Sequence, residues 1–173
     1  MKNWFKRDGL TAYERDIVEN IEKHGCHITG VFDPDGDAPS FAYSVGFTRT
    51  LEKTGNPDYP EVIMFGLPRE VVGPAINSLL AMCAAGQPLV EGERLEAFFG
   101  EYDAVVRLVH ETQIVENYLN SAMWYHRTQM GRPLRDVAMI VWPDATGLYP
   151  WEEGCEAWVQ SDQPALYEPR LDS

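Results

Sequence analysis

Apolar and polar positions recur along this chain with two periods, and the changes between them mark its elements. Tyr13, Ile17, Val18 and Ile21 repeat at helical spacing, Thr11 and Glu14 form a capping box ahead of them, and Gly25 follows as a stop. Over residues 26–32 the period drops to two: Cys26, Ile28 and Phe32 alternate with His27, Thr29 and Val31, which predicts a strand. DPDGDAP, residues 33–39, is a turn by composition. The next strand, SFAYSVGF, puts Phe41, Tyr43, Val45 and Phe47 on one face and Ser40, Ala42, Ser44 and Gly46 on the other. One face is large and aromatic. The small face admits close approach by a helix, another backbone or a ligand.

Residues 48–60, TRTLEKTGNPDYP, read as a long polar loop, and EVIMFG after them has the length and punctuation of a buried strand. A helix is predicted from residue 68 to 85 on Val71, Val72, Ala75, Ile76, Leu79, Leu80 and Cys83, with Gly86 as terminator; Pro74 either kinks it or marks its regular start. DAVVRLVH is a further strand, residues 111–130 a helix with Ile114, Tyr118 and Ala122 on one stripe ended by Gly131 and Pro133, and VAMIVW another buried strand. After Trp142 the chain is rich in Pro, Gly, Trp and acids, which predicts irregular structure with its aromatics packed on the body. The whole reads as one domain over residues 1–173, of α+β class: a mixed, largely antiparallel sheet with helices packed on one face and an irregular C-terminal segment.

Composition narrows the class. A chain of 173 residues with 45% apolar and 24% charged residues can bury a core and is not a disordered polymer. It has no window of 18 consecutive apolar residues, so no transmembrane helix is expected. MKNWFKRDGLTAYERD lacks the apolar stretch and cleavage site of a signal peptide. Three widely spaced cysteines, Cys26, Cys83 and Cys155, fit free thiols in a reducing cytoplasm better than a disulfide framework. The net charge of −13 is uneven: residues 1–30 carry five acids and five bases, residues 143–173 seven acids and one base. Such a field disfavours direct nucleic-acid binding and favours a basic protein partner, or simply keeps the protein in solution.

The words PSFAYSVGF, PEVIMFGLP, VWPDATGLYPWEEG and QPAL, in this order over residues 39–166, resemble the successive blocks of a bacterial family known as domain of unknown function 4262. The family's usual threonine and leucine in the first block correspond here to Ser44 and Phe47, and Tyr59 stands where a histidine is expected. The resemblance implies an intracellular bacterial protein and brings no activity with it.

HGCH, residues 24–27, is the densest set of metal-type ligands, but Cys26 and His27 fall on opposite strand faces and no second cluster matches, so no metal site is expected. Asp33, Asp35 and Asp37 alternate as in a calcium loop, yet Ala38 and Ser44 stand where such a loop needs glycine and a bidentate acid. Ser44 as a nucleophile would need His27, His110 or His126 beside it, and no G-x-S-x-G elbow occurs. Cys155 lies among acids that disfavour its thiolate. No P-loop or dinucleotide fingerprint is present, and no cofactor is expected.

What remains is a composite ligand-binding candidate: Tyr43, Ser44, Gly46 and Glu61 from neighbouring strands, with Trp142, Asp144 and Trp151 from the loop after the last strand. Aromatic walls with a few carboxylates suit a small polar or cationic ligand. The structural alternative is that Trp142 and Trp151 pin the C-terminal segment while Asp144 caps its turn. Two functions follow from these readings. One is a non-catalytic binding or accessory protein for a small molecule or a basic protein. The other is a small hydrolase with Glu61 or Asp144 as general acid/base and Tyr43 orienting the substrate. A surface of Tyr118, Met123, Trp124 and Tyr125 would serve a homodimer, or equally the core.

Overall fold

The structure, a computed structural model, describes residues 9–171. The signal-peptide reading falls largely on residues 1–8, outside the described residues. Helix α1 (Ala12–His24) begins on Thr11, whose hydroxyl accepts from Glu14 N–H while the Glu14 carboxylate accepts from Thr11 N–H, and it ends at Gly25 with φ of 90°. Six strands follow: β1 (His27–Val31), β2 (Phe41–Val45), β3 (Glu61–Phe65), β4 (Arg94–Phe99), β5 (Tyr102–Leu108) and β6 (Val137–Val141). They form one sheet in the order β1-β2-β3-β6-β5-β4, in which only β3 and β6 run parallel. The mixed, largely antiparallel sheet and the α+β class are as the sequence predicts.

The helices, however, cover both faces, not one. Phe41, Tyr43, Val45, Ile63, Phe65, Met139 and Val141 face α1 and α4 (Glu116–Tyr125). Ala42, Val62, Met64, Ala138 and Ile140, on the alternate positions, face α2 (Phe47–Lys53) and α3 (Arg69–Ala84). Strands with all five residues buried, such as β2, β3 and β6, belong in the middle of such a three-layer arrangement. The sequence signal was present in these runs, which carry no polar solvent face.

Helix α2 replaces the first half of the predicted polar loop. Gly46, with φ of 84°, turns the chain sharply after β2, so Phe47 leaves the aromatic face and packs with Leu51 on the opposite side. Helix α3 runs through Pro74, whose ring is exposed and whose missing N–H costs one helical bond. Strand β4 is not among the predicted elements; Ala97, at φ of 53°, sits in its register shift between Leu95 and Phe99. The helix predicted over 111–130 is three pieces. A 3₁₀ turn (Glu111–Gln113) precedes α4, Leu119 departs from helical geometry, and a π-helical turn (His126–Met130) carries the chain to Gly131. Tyr118, Met123, Trp124 and Tyr125 pack against the core from α4. The last helix, α5 (Ala157–Asp162), is the one regular piece among the described residues after β6.

Candidate functional site

Glu61 opens β3 with a fully buried carboxylate. Its Oε1 accepts from the Ser44 hydroxyl at 2.8 Å and from Phe47 N–H at 3.1 Å; its Oε2 accepts from Thr48 N–H at 3.3 Å and lies 2.7 Å from His126 Nε2. Ser44 Oγ in turn accepts from Val62 N–H at 2.9 Å. The reason for this convergence is local. Phe47 and Thr48 are the first residues of α2, and Gly46 before them has no side chain with which to cap their N–H groups. A carboxylate from the neighbouring strand satisfies them and lies at the positive end of the short helix. The π-helical turn swings His126 under the same carboxylate.

His126 is buried, yet only one of its nitrogens is spent. Nε2 faces Glu61, and Nδ1 has no hydrogen-bond partner among the described residues. His126 lines a cavity of about 290 Å³ at the N-terminal ends of β3 and β6. Thr48, Tyr59, Arg132, Arg135 and Asp136 share that wall. Thr48 also lines the cavity, but its Oγ1 is itself buried and unpartnered among the described residues. Asp58, also on the wall, holds φ of 68°, a backbone state uncommon outside glycine. The Tyr59 hydroxyl donates to the Gln87 carbonyl.

The predicted site residues separate into groups. Ser44, Gly46 and Glu61 meet at the β2–α2 corner; the close approach expected for their small face is made by α3 against Ala42, by Glu61 against Ser44 and by Ile21 against Gly46. Tyr43 lies on the other face, its hydroxyl accepting from Ser121 N–H at 3.0 Å. Trp142 is at the far end of the sheet: its Nε1–H donates to the Phe65 carbonyl at 2.8 Å, four residues along β3 from Glu61, roughly 13 Å away. Asp144 accepts from Thr146 Oγ–H and from the N–H groups of Thr146, Leu148 and Glu156, and folds the loop around itself. Its carboxyl is pulled down to about 2, by the Thr146 hydroxyl above all, against the opposing effect of burial. Trp151 stacks on Tyr149 at 5.4 Å and lies over Arg107. Tyr43, Glu61 and Asp144 thus do not share a surface.

Ser44 is not paired with a histidine as a nucleophile would be; Glu61 stands between Ser44 and His126 and takes both bonds. His27 binds Asn20, and His110 caps the 3₁₀ turn. Burial, with the Glu61 charge adding to it, pushes the Cys26 thiol up to about 12. Thr48 and the arginines of 127–135 went unread because the first lay in an apparent loop and the second in a sequence that gives no sign of converging.

The family described as Domain of unknown function (DUF4262) matches residues 20–156, and the chain belongs to that family. Neither a curated protein nor a solved structure matches the chain.

Proposed function

We propose that this DUF4262 protein is a cytoplasmic binding protein for a small polar molecule, seated in the cavity over His126 and hydrogen-bonded to His126 Nδ1. The observation that carries the reading is the Glu61–His126 pair. A buried carboxylate with four donors fixes one imidazole nitrogen, and the other is left unpartnered beside a cavity whose wall carries Tyr59, two arginines and the acids Glu52, Asp58 and Asp136. Preformed polar pockets with one rigidly held imidazole recognise ligands by a few placed hydrogen bonds. The three buried, unpaired cysteines support a reducing compartment.

Native mass spectrometry of the purified protein, followed by NMR of the ¹⁵N-labelled imidazole, tests this. The expected result is a retained or added small molecule that shifts His126 Nδ1 and is lost on His126→Gln. A panel of small acids, amides, sugars and nucleosides that leaves the His126 ring signals unmoved sinks the reading.

The same pair supports a second reading, hydrolysis, with the roles altered from those the sequence suggested. His126 takes the general base role at Nδ1 and Glu61 holds it. Turnover that disappears in His126→Gln while the ligand is still retained separates catalysis from binding.

A further inference from the structure

Residues 126–135, HRTQMGRPLR, hold three arginines and no acid in a chain of net charge −13. The π-helical turn and the Gly131 turn bring all three to one place. Arg127, Arg132 and Arg135 line a cavity of about 570 Å³ that shares Arg132, Pro133 and Arg135 with the wall of the His126 cavity. Its remaining surface is apolar, from Ile114, Met123 and Leu134, and Glu111 is its one acid. Arg132 pairs with Glu52, whereas Arg127 and Arg135 make no ion pair among the described residues. Acidic side chains are abundant in this protein, so two guanidinium groups left open beside an apolar floor form a distinct local field. Planar guanidinium forks match carboxylates and phosphates. An apolar floor beside them accepts a hydrocarbon body.

We propose that this larger cavity binds a small organic anion with an apolar body, its head held by Arg127 and Arg135 and its body laid on Ile114, Met123 and Leu134. The site overlaps the His126 cavity at Arg132, Pro133 and Arg135 and is told apart from it by Arg127, which lines the larger cavity and not the smaller, and by Thr48 and His126, which line the smaller and not the larger. Arg127 therefore separates the test of this inference from the test of the reading above.

The test titrates the full chain with octanoate, octanol and inorganic phosphate, read by isothermal calorimetry and by methyl NMR of Ile114, Met123 and Leu134. Octanoate is expected to bind saturably and shift all three methyl groups, with octanol and phosphate each weaker by about tenfold or more. Arg127→Ala combined with Arg135→Ala lowers octanoate affinity by about tenfold or more, and circular dichroism checks that these exposed changes leave the fold intact. Octanol binding as tightly as octanoate overturns the anionic head, and phosphate binding as tightly overturns the apolar body. No saturable shift with any probe, or affinity unchanged in the double arginine variant, overturns the site. A ligand that moves His126 Nδ1 equally in wild type and Arg127→Ala leaves the smaller cavity's reading intact whichever way octanoate behaves.

Discussion

At the scale of single residues, Glu61 is the point on which the corner of the fold rests. Its carboxylate serves Ser44, Phe47, Thr48 and His126 at once, with no solvent exposure to soften a loss. Glu61→Ala strands a hydroxyl, two N–H groups and an imidazole in the interior, and is expected to cost about 3–5 kcal/mol in urea unfolding. Glu61→Gln keeps an acceptor but turns an amide NH₂ toward groups that donate, so an intermediate loss of about 1–3 kcal/mol is expected. A Glu61→Ala protein within about 0.5 kcal/mol of wild type would mean that the four contacts carry no net stability. The sequence made Ser44 and Glu61 legible, since a serine on a small strand face and an acid at the head of an apolar run are both conspicuous. It left His126 as one of three histidines. Its place depends on a π-helical turn, which no local spacing announces.

At the scale of elements, the β2–α2 junction shows why a helix was read as a loop. The stretch TRTLEKTGNPDYP is polar apart from Leu51, and the other anchor, Phe47, continues the alternation of the strand before it. The cap that would reveal a helix start comes from β3, seventeen residues after Ser44, and not from the preceding residue. Only Gly46 betrays the corner. A Cβ there would stand 2.6–2.8 Å from three carbons of Ile21, in a backbone state of φ 84°. Gly46→Ala is therefore expected to lose about 1–3 kcal/mol to overpacking. Its left-handed backbone adds about 1–2 kcal/mol. Ile21→Ala removes those carbons at a cost of its own, about 2–5 kcal/mol for a buried isoleucine. The two changes together should cost less than their sum by about 0.5–3 kcal/mol, because the clash needs both partners. Strict additivity in equilibrium unfolding would show that Gly46 is required by its backbone angle alone. Strands β2, β3 and β6, by contrast, were legible almost residue by residue, because they are short apolar runs with clear punctuation, while β4 was not predicted at all. What their sequence could not distinguish was one covered face from two, since the second layer depends on where α2 and α3 return.

At the scale of the whole molecule, the three-layer arrangement distributes the three thiols so that they report on how the layers come apart. Cys26 and Cys83 lie in the core between the sheet and α3, and Cys155 lies buried within the C-terminal segment, where its thiol approaches the Leu148 carbonyl. Burial pushes both Cys26 and Cys83 up to about 12 from an ordinary 9.0, and Cys155 is raised in the same direction, by burial first and by Asp144 next. At pH 8 the two core thiols then hold about a thousandfold less thiolate than a free cysteine, before access is even considered. A thiol with a raised pKa adds stability that is complete below its unfolded value and is lost as pH rises toward the folded one, so the contribution of these groups should fade between pH 9 and 12. If the layers open only together, iodoacetamide should label Cys26 and Cys83 at one common rate at pH 8, and that rate should climb with urea as global unfolding does. Mass spectrometry of the labelled peptides resolves each site. Cys155 labelled ahead of the other two, at a rate indifferent to urea, would identify the C-terminal segment as a unit that opens by itself. Early, urea-independent labelling of Cys26 or Cys83 would instead mean that α3 lifts from the sheet in the native state, which would break the single three-layer core argued from its packing.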